Sequence, residues 1–389
     1  MKTDDFNFDL PEELIAQYPT GERGTSRLFV LDRKNHRHIH TMVTQIRDFV
    51  EPGTVMVFND SRVRKARLYG EACDTQAKVE FLLLAPLPAA ARQPRVEPLP
   101  QVASQSSVAP QARVDPMSKT ATSVASTPSS SSFAPLAVST VWRAICNKNR
   151  RQRIGREYIF PGDLKGRVID GNNDEKIIEF ESPVGDDYLD AYGHVPLPPY
   201  IKREDEAVDE ERYQNIYARV DGSAACATAG LHFTDAILDS LRAAGIDLEW
   251  VTLHVGLGTF LPVRAENIED HNMHEEWYTV PEKTALAVNK AKAEGRKVLA
   301  VGTTSIRTLE SAWGPDGLAV GPNNTSIFIY PGYQFKVVDQ LFTNFHTPKS
   351  TLVMLVSAFA GKDEILNAYK EAVRERYRFF SYGDAMLIL

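Results

Sequence analysis

Alternating strand and helix patterns over the C-terminal half of the chain constrain its fold more than any other feature. From about Tyr200 onward, short runs rich in β-branched residues alternate with longer segments whose apolar residues recur at helical spacing. Thr234 can cap a first helix that Gly245 ends, and Pro281 can open a second helix that Gly295 ends. Such alternation is typical of an α/β domain with largely parallel strands.

The elements predicted in this region follow from length and periodicity. The predicted strands span 246–255, 297–301 and 326–332. The predicted helices span 235–244, 282–294, 302–312 and 362–380, and the apolar segment 350–361 is predicted to be a buried helix.

A different pattern fills residues 66–182. Short β-branched and aromatic runs punctuated by Gly, Asp and Asn predict a small antiparallel barrel or sandwich. Inside it, residues 87–140 are rich in Ser, Ala and Pro, and we expect a disordered loop that joins two strands. The predicted fold class is α/β, with a mixed α/β catalytic domain formed by 1–65 and 183–389 and an inserted small antiparallel β-barrel domain, 66–182.

Composition restricts the class of protein. With 43% hydrophobic and 24% charged residues, the chain is typical of globular proteins. Three scattered cysteines fit a reducing compartment, and neither a signal peptide nor an apolar run of about 20 residues is seen. We therefore expect a cytoplasmic protein, and we expect a monomer.

A net charge of −7 does not imply a nucleic-acid partner, so such contacts need a local basic patch. Two candidates are "KNRRQRIGR", residues 148–156, and "SRVRKAR", residues 61–67. Each run can either contact phosphates or form a solvated face.

The segment "VGTTSIR" is the best candidate for binding chemistry. A predicted strand ends at Val301 and a helix follows, so its unpaired N–H groups can attract an anion. Three hydroxyls and Arg307 can add donors for a carboxylate or phosphate. The alternative is an ordinary capped helix without a ligand.

Other motifs are less specific. "LHVGLGTF" contains Gly256 and Gly258 but lacks the dinucleotide-binding fingerprint, because no helix follows at once. His232 precedes a helix N-terminus, which lowers the pKa of an imidazole, yet such a histidine can equally be structural. His271 and His274 have metal-ligand spacing without a third ligand, so a polar turn is favoured.

Many long motifs together resemble one family. They include "DFNFDLPEELIAQYPTGERGTSRLFVLDR", "GHVPLPPYIKR", "TAGLHFTDAIL", "VTLHVGLGTFLPVR", "EDHNMHEEW", "VGTTSIRTLES" and "YRFFSYGDAM". In this order they resemble the S-adenosylmethionine:tRNA ribosyltransferase-isomerases of queuosine synthesis, over about residues 1–86 and 141–389.

The resemblance implies an unusual reaction. S-adenosylmethionine donates its ribosyl group to 7-aminomethyl-7-deazaguanine at the wobble position of tRNA, giving epoxyqueuosine with release of adenine and methionine. S-adenosylmethionine is consumed as a substrate, and neither a cofactor nor a metal is implied. Its sulfonium makes the C5′ hydrogens acidic, so the reaction needs a base, an acid for adenine and an anion site for the methionine carboxylate.

The site residues follow as expectations. For proton transfer, the histidines that suit neutral pH are His232 and His254. For S-adenosylmethionine, we expect contacts from Thr228, Gly256, Gly258, Thr303, Thr304, Ser305 and Arg307. For tRNA, we expect contacts from Arg62, Lys148, Arg150, Arg151 and Arg153.

Two positions depart from the family pattern, and two other functions stay open. Ala227 and Lys65 stand where the family usually has proline. The first alternative is a metal-assisted phosphosugar or nucleotide hydrolase that uses the Thr303 helix start with His271 and His274. The second is a non-catalytic RNA-binding protein.

Overall fold

The computed structural model describes residues 1–88, 138–173, 175–256, 263 and 265–389. Its strands are β1 (Arg27–Asp32), β2 (Arg37–Met42), β3 (Val55–Asn59), β4 (Ser61–Val63), β5 (Arg67–Ala72), β6 (Lys78–Leu87), β7 (Ser139–Cys146), β8 (Glu157–Phe160), β9 (Leu164–Gly171), β10 (Lys176–Val184), β11 (Val220–Ser223), β12 (Asp247–Leu253), β13 (Glu276–Val280), β14 (Val298–Val301), β15 (Trp313–Gly314), β16 (Gly317–Leu318), β17 (Gly321–Thr325), β18 (Gln340–Asn344) and β19 (Ala385–Ile388). Its α-helices are α1 (Asp186–Tyr192), α2 (Ala207–Arg212), α3 (Asp235–Ala243), α4 (Glu282–Ala293), α5 (Thr303–Ala312), α6 (Thr351–Ala360) and α7 (Lys362–Arg374).

A nine-stranded mixed sheet has the order β17-β13-β12-β3-β14-β18-β19-β1-β2. The central pairs β12–β3, β3–β14 and β14–β18 are parallel. Both faces of β3 are covered, since Val55 and Val57 join one apolar cluster while Met56 and Phe58 join another. Burial on both faces explains why β3 and β14 are almost entirely apolar.

The second sheet closes into a barrel with the order β10-β7-β6-β5-β8-β9, and every described pair is antiparallel. Its interior is filled by aromatic rings, and the Phe160 centroid lies 5.1 Å from Phe81 and 5.2 Å from Phe180. Gly70 allows this packing, because a Cβ there would lie 2.8 Å from the Phe160 ring. The predicted fold class, a mixed α/β domain with an inserted antiparallel β-barrel, is confirmed.

The Ser- and Pro-rich segment begins and ends on neighbouring barrel strands. β6 continues to Leu87, which pairs with Val141 of β7, and β7 begins at Ser139. The two ends of the predicted loop are therefore strand, and residues 89–137 lie outside the described part. The predicted domain limits stay a prediction.

One predicted strand is wrong. The strand that pairs with β13 is the polar segment β17, and residues 326–332 follow it without joining a ladder. Ile329 is nevertheless buried in the main core. The apolar residues around Ile329 in the sequence are therefore explained by side-chain packing against the core. A hydropathy pattern does not distinguish such packing from strand pairing.

The last long helix ends earlier than predicted. α7 stops at Arg374, and Arg376 has a φ of 55°, a left-handed conformation. The Tyr377 N–H turns back to the Ala372 carbonyl at 2.8 Å, which satisfies a free carbonyl at the helix end. Among the described residues, none of the helices has the length and apolar composition that crossing a bilayer requires.

Candidate active site

A pocket lies beside the carboxyl ends of the neighbouring parallel strands β14 and β18. It measures about 650 Å³, counted with its open mouth. Most of its wall comes from residues 226–229, 302–304, 343–347 and 380–381. In open α/β sheets, ligands bind outside the carboxyl ends of the strands, so this pocket is the candidate active site.

The first turn of α5 supplies donors to the pocket. Gly302 has a φ of 87°, which favours glycine, and the helix begins at the next residue. Thr303 and Thr304 line the pocket, and no side chain caps this helix start. The buried Thr304 Oγ1 has no hydrogen-bond partner among the residues that the structure describes. These groups suit a carboxylate or phosphate oxygen.

The next polar side chains of α5 point elsewhere. Ser305 Oγ donates to the Val301 carbonyl at 2.8 Å. The Arg307 guanidinium forms a buried ion pair with Glu276, whose Oε1 also accepts from the Gly256 N–H at 2.9 Å. Arg307 Nε and Nη2 are buried and have no hydrogen-bond partner within the described ranges. This pair links α5 to Gly256, the first glycine after β12.

The predicted S-adenosylmethionine contacts are therefore only partly brought together. Thr228, Thr303 and Thr304 line the pocket, whereas Ser305 and Arg307 are not among its described lining residues. The Gly256 N–H is already bonded. Gly258 lies outside the described residues. The roles assigned to these residues stay predictions.

His232 lies behind the pocket wall rather than open to it. Its Nε2 lies 3.0 Å from Asn344 Nδ2, and its Nδ1 lies 2.9 Å from Ser26 Oγ. Burial, together with the smaller effect of the Arg23 and Arg378 charges, lowers the pKa of His232 to about 3. The imidazole is therefore neutral, as the sequence predicts, but burial rather than the following helix is the main cause.

His254 follows the last residue of β12 and stacks on Trp277, with centroids 5.1 Å apart and planes at 15°. Both ring nitrogens are buried and have no hydrogen-bond partner in the part of the chain that the structure describes. Burial, followed by the charge of Arg64, lowers the pKa of His254 to about 4. His254 is not among the described residues that line the pocket.

The basic run 148–156 lies on the barrel surface. Lys148, Arg150, Arg151 and Arg153 are exposed, and no described carboxylate lies within salt-bridge distance of their side chains. Uncompensated cations on one surface are the electrostatic signature of a phosphate-binding face.

The run 61–67 is different, because each of its cations has a carboxylate partner. Arg62 Nε lies 3.5 Å from Asp221 Oδ1, and Lys65 Nζ lies 3.0 Å from Glu210 Oε2. Arg64 and Arg67 are paired at 2.9 Å with Asp186 and Glu80, respectively. This run therefore presents less net positive charge than its sequence indicates.

The histidines of the metal alternative do not form a ligand cluster. His271 packs edge-on against Phe328, with centroids 5.2 Å apart. Among the described residues, no group of three or more His, Cys, Asp or Glu side chains could hold a metal ion.

Several pocket residues were missed by the sequence analysis. Asn344 is the last residue of β18, and His346 lies two residues after it. Both line the pocket, as do Tyr200 and Ser381. The available signal was the polar pair Thr343 and Asn344 at the carboxyl end of β18, followed by His346, where a parallel sheet places its ligands.

Known proteins resemble this chain over its whole length. A family model described as "Queuosine biosynthesis protein" matches residues 3–388. Proteins named S-adenosylmethionine:tRNA ribosyltransferase-isomerase from Treponema denticola and Legionella pneumophila are 45% and 44% identical, with 100% of each chain covered. The crystal structure of an S-adenosylmethionine tRNA ribosyltransferase from Thermotoga maritima is 32% identical, with a TM-score of 0.51 over 99% of this chain and 100% of its own. The chain belongs to the queuosine biosynthesis protein family.

Proposed function

We propose that this chain transfers and isomerises the ribosyl group of S-adenosylmethionine onto 7-aminomethyl-7-deazaguanine at the wobble position of tRNA. Adenine and methionine are the other products, and the modified base is epoxyqueuosine. The observation that carries this proposal is full-length similarity to relatives named S-adenosylmethionine:tRNA ribosyltransferase-isomerase. A pocket at the ligand-binding edge of the sheet supports it.

The methionine carboxylate is assigned to the start of α5. Its N-terminal N–H groups and the unpartnered Thr304 hydroxyl are donors, and both lie at the pocket wall. An anion there gains from the helix dipole and from hydrogen bonds that the protein otherwise leaves unmade. No Asp or Glu is among the described lining residues, so no carboxylate opposes the anion.

Proton transfer is assigned to neutral histidine, since a neutral imidazole can accept a proton. Neither ring nitrogen of His254 has a hydrogen-bond partner among the described residues, so it can take a proton without losing a hydrogen bond to them. His232 Nε2 already receives a hydrogen bond from Asn344, and protonation would break it. The two histidines are distinguished by exchange of the C5′ hydrogens with solvent, since the variant that lacks the base loses that exchange.

Transfer RNA is assigned to the exposed cations of the barrel, Lys148, Arg150, Arg151 and Arg153. Their side chains have no described carboxylate partner, whereas Arg62 is paired with Asp221. Phosphate contacts by unpaired cations release counterions and give salt-dependent affinity. We therefore expect Arg62 to contribute less to tRNA affinity than the barrel run.

The test is incubation with S-adenosylmethionine and precursor-containing tRNA, without added metal, followed by assay of the small-molecule products. We expect adenine and methionine to appear together, and only with the modified tRNA. Release of S-adenosylhomocysteine would show methyl transfer and overturn the proposal.

The same assay separates the two other functions. Loss of turnover with a chelator would favour the metal-assisted hydrolase. Binding of tRNA without consumption of S-adenosylmethionine would favour the RNA-binding protein. A cytoplasmic location and a monomeric state are further expectations, and sedimentation of the purified chain tests the second.

A further inference from the structure

We propose that His232 is a positioning residue. It holds Asn344 so that the Thr228 hydroxyl accepts a hydrogen bond from the α-ammonium group of the methionine moiety of S-adenosylmethionine. This inference rests on the proposed function and deepens it, because it assigns the recognition of a second charged group of the same substrate.

Hydrogen-bond polarity around Asn344 follows from one carbonyl. Asn344 Nδ2 lies 3.1 Å from the Phe380 carbonyl oxygen, which can only accept, so this atom of the amide must be the nitrogen. Its second hydrogen is directed to His232 Nε2 at 3.0 Å. His232 therefore carries its proton on Nδ1 and donates it to Ser26 Oγ at 2.9 Å.

The oxygen of the Asn344 amide determines the direction in which the Thr228 hydroxyl donates its hydrogen. Asn344 Oδ1 can only accept, and Thr228 Oγ1 lies 3.1 Å from it, so the threonine hydroxyl donates. A hydroxyl has one hydrogen, and this contact uses it. Thr228 lines the pocket and is only partly buried, so what it offers a ligand is its oxygen lone pairs. Beside Thr228 the pocket therefore favours a ligand group that donates a hydrogen bond and disfavours one that only accepts.

The opposite polarity at α5 completes an amino-acid site. Thr304 Oγ1 and the helix start supply donors, and Thr228 supplies an acceptor in the same pocket. An α-amino acid carries a carboxylate and an ammonium group on one carbon, which matches this pairing. Since no Asp or Glu is among the described lining residues, the ammonium group must be bound by neutral acceptors.

His232 is suited to holding Asn344 rather than to removing a proton from the substrate. Its ring is buried, and both nitrogens are engaged, with Asn344 and with Ser26. Burial keeps its pKa at about 3, so the acceptor form of Nε2 persists at neutral pH. Loss of His232 would remove one of the two hydrogen bonds that hold the Asn344 nitrogen and leave only the bond to the Phe380 carbonyl, so the amide oxygen that orients the Thr228 hydroxyl would be held less firmly.

The first test measures affinity for S-adenosylmethionine and for its analogue without the α-amino group. Thr228→Val removes the hydroxyl at nearly constant volume. We expect its Kd for S-adenosylmethionine to rise about 10- to 100-fold, because a hydrogen bond to a charged group is removed. The Kd of the deaminated analogue should stay unchanged, and Thr228→Ser, which keeps a hydroxyl, should show a smaller loss. Equal losses for both ligands would overturn the inference.

The second test separates positioning from proton transfer at His232. His232→Gln keeps an acceptor for Asn344 but cannot act as the base, whereas His232→Leu keeps neither. We expect His232→Leu to raise KM for S-adenosylmethionine and His232→Gln to recover most of that loss with kcat largely retained. A collapse of kcat in both variants at unchanged KM would make His232 the base and overturn the inference.

The two levels of the proposal fail separately. Wild-type release of adenine and methionine tests the proposed function alone, and the two affinities of Thr228→Val test the ammonium contact even without turnover. Thermal unfolding is recorded for each variant. If the buried His232→Leu substitution prevents folding, His232→Gln still decides between the roles, because it alone lacks the base while keeping the acceptor.

Discussion

Arg307 and Glu276 form an ion pair whose side chains are only 4% and 3% exposed, respectively. Glu276 Oε1 also accepts the Gly256 N–H at 2.9 Å, so the pair joins α5, β13 and the segment after β12. A contact that water scarcely reaches thus ties α5, whose first turn lines the pocket, to β13 and to Gly256.

Removal of one partner should therefore be costly. We expect Glu276→Gln to lower the free energy of unfolding by about 3 to 5 kcal/mol, because it leaves the Arg307 charge buried and uncompensated. Urea unfolding of the two proteins measures the difference. The control is Glu269→Gln, which removes an exposed carboxylate paired with the N-terminus and should change the free energy of unfolding far less. Equal losses in both variants would contradict the expected weight of the buried pair.

Buried neutral histidines should make stability depend on pH. Burial lowers the pKa of His232 and of His346 to about 3, and that of His254 to about 4. An unfolded histidine has a pKa near 6.5. Between about pH 6.5 and pH 4 the unfolded chain binds more protons at these residues, so their stabilisation is complete above this window and is lost as pH falls.

The slope can be measured by urea unfolding at several pH values within this window. Each of the three residues should contribute about 1.4 kcal/mol per pH unit. His346→Gln keeps a hydrogen-bonding group toward Thr343, which lies 2.9 Å from His346 Nε2, but cannot titrate. We expect the free energy of unfolding of this variant to change with pH by about 1.4 kcal/mol per pH unit less than that of the wild type, because one of the three histidines no longer titrates. An unchanged slope would show that His346 does not titrate during unfolding.

Local patterns in the sequence predicted the parts of the site that lie along one segment. The strand-to-helix transition at Gly302 follows from apolar periodicity and small polar residues, and the structure places Thr303 and Thr304 in the pocket. Asn344 was missed because its contact with His232 joins residues 112 positions apart. Such a contact is set by the order of strands in the sheet, which periodicity does not encode.

Charge patterns have the same limit. The two basic runs are alike in sequence, yet Arg62 and Lys65 form ion pairs with acidic residues of β11 and α2, while Arg150 and Arg151 form none with the described residues. Partners far away in the chain decide whether a cation is available. The residues around 326–332 show the corresponding limit for strands, because burial by side-chain packing resembles strand pairing in sequence.

The departure at Ala227 allows a test of backbone rigidity beside Thr228. Ala227 has a φ of −74°, which lies within the range that proline adopts, and its N–H forms no hydrogen bond among the described residues. We expect Ala227→Pro to raise the free energy of unfolding by about 0.4 to 1 kcal/mol, because proline restricts the unfolded chain. Denaturant unfolding checks this, and Ala224→Pro is the nearby control that should destabilise, because it removes the hydrogen bond that the Ala224 N–H donates to the Val255 carbonyl oxygen at 3.2 Å. A loss of stability in Ala227→Pro would show that the local backbone cannot accept proline.

The unpaired cations of the barrel should determine how tRNA affinity depends on salt. We expect neutralisation of Lys148, Arg150, Arg151 and Arg153 to Gln to weaken tRNA binding while leaving S-adenosylmethionine affinity unchanged, because these residues lie outside the pocket. The slope of log Kd against log salt should fall by about 0.7 to 0.9 for each phosphate that the variant no longer binds.

Titration of tRNA at several salt concentrations measures that slope. The charge-matched control neutralises four cations near the N-terminus, on α4 and on α7, namely Lys2, Lys283, Lys290 and Arg374. Their side chains are at least 63% exposed. Both variants lose four positive charges, so a general effect of net charge on the slope is the same in each. Beyond that shared effect, we expect the control to keep the wild-type slope. Equal slopes in the two variants would assign the barrel run to a solvated face, because only direct binding of phosphates makes the position of the removed charges matter.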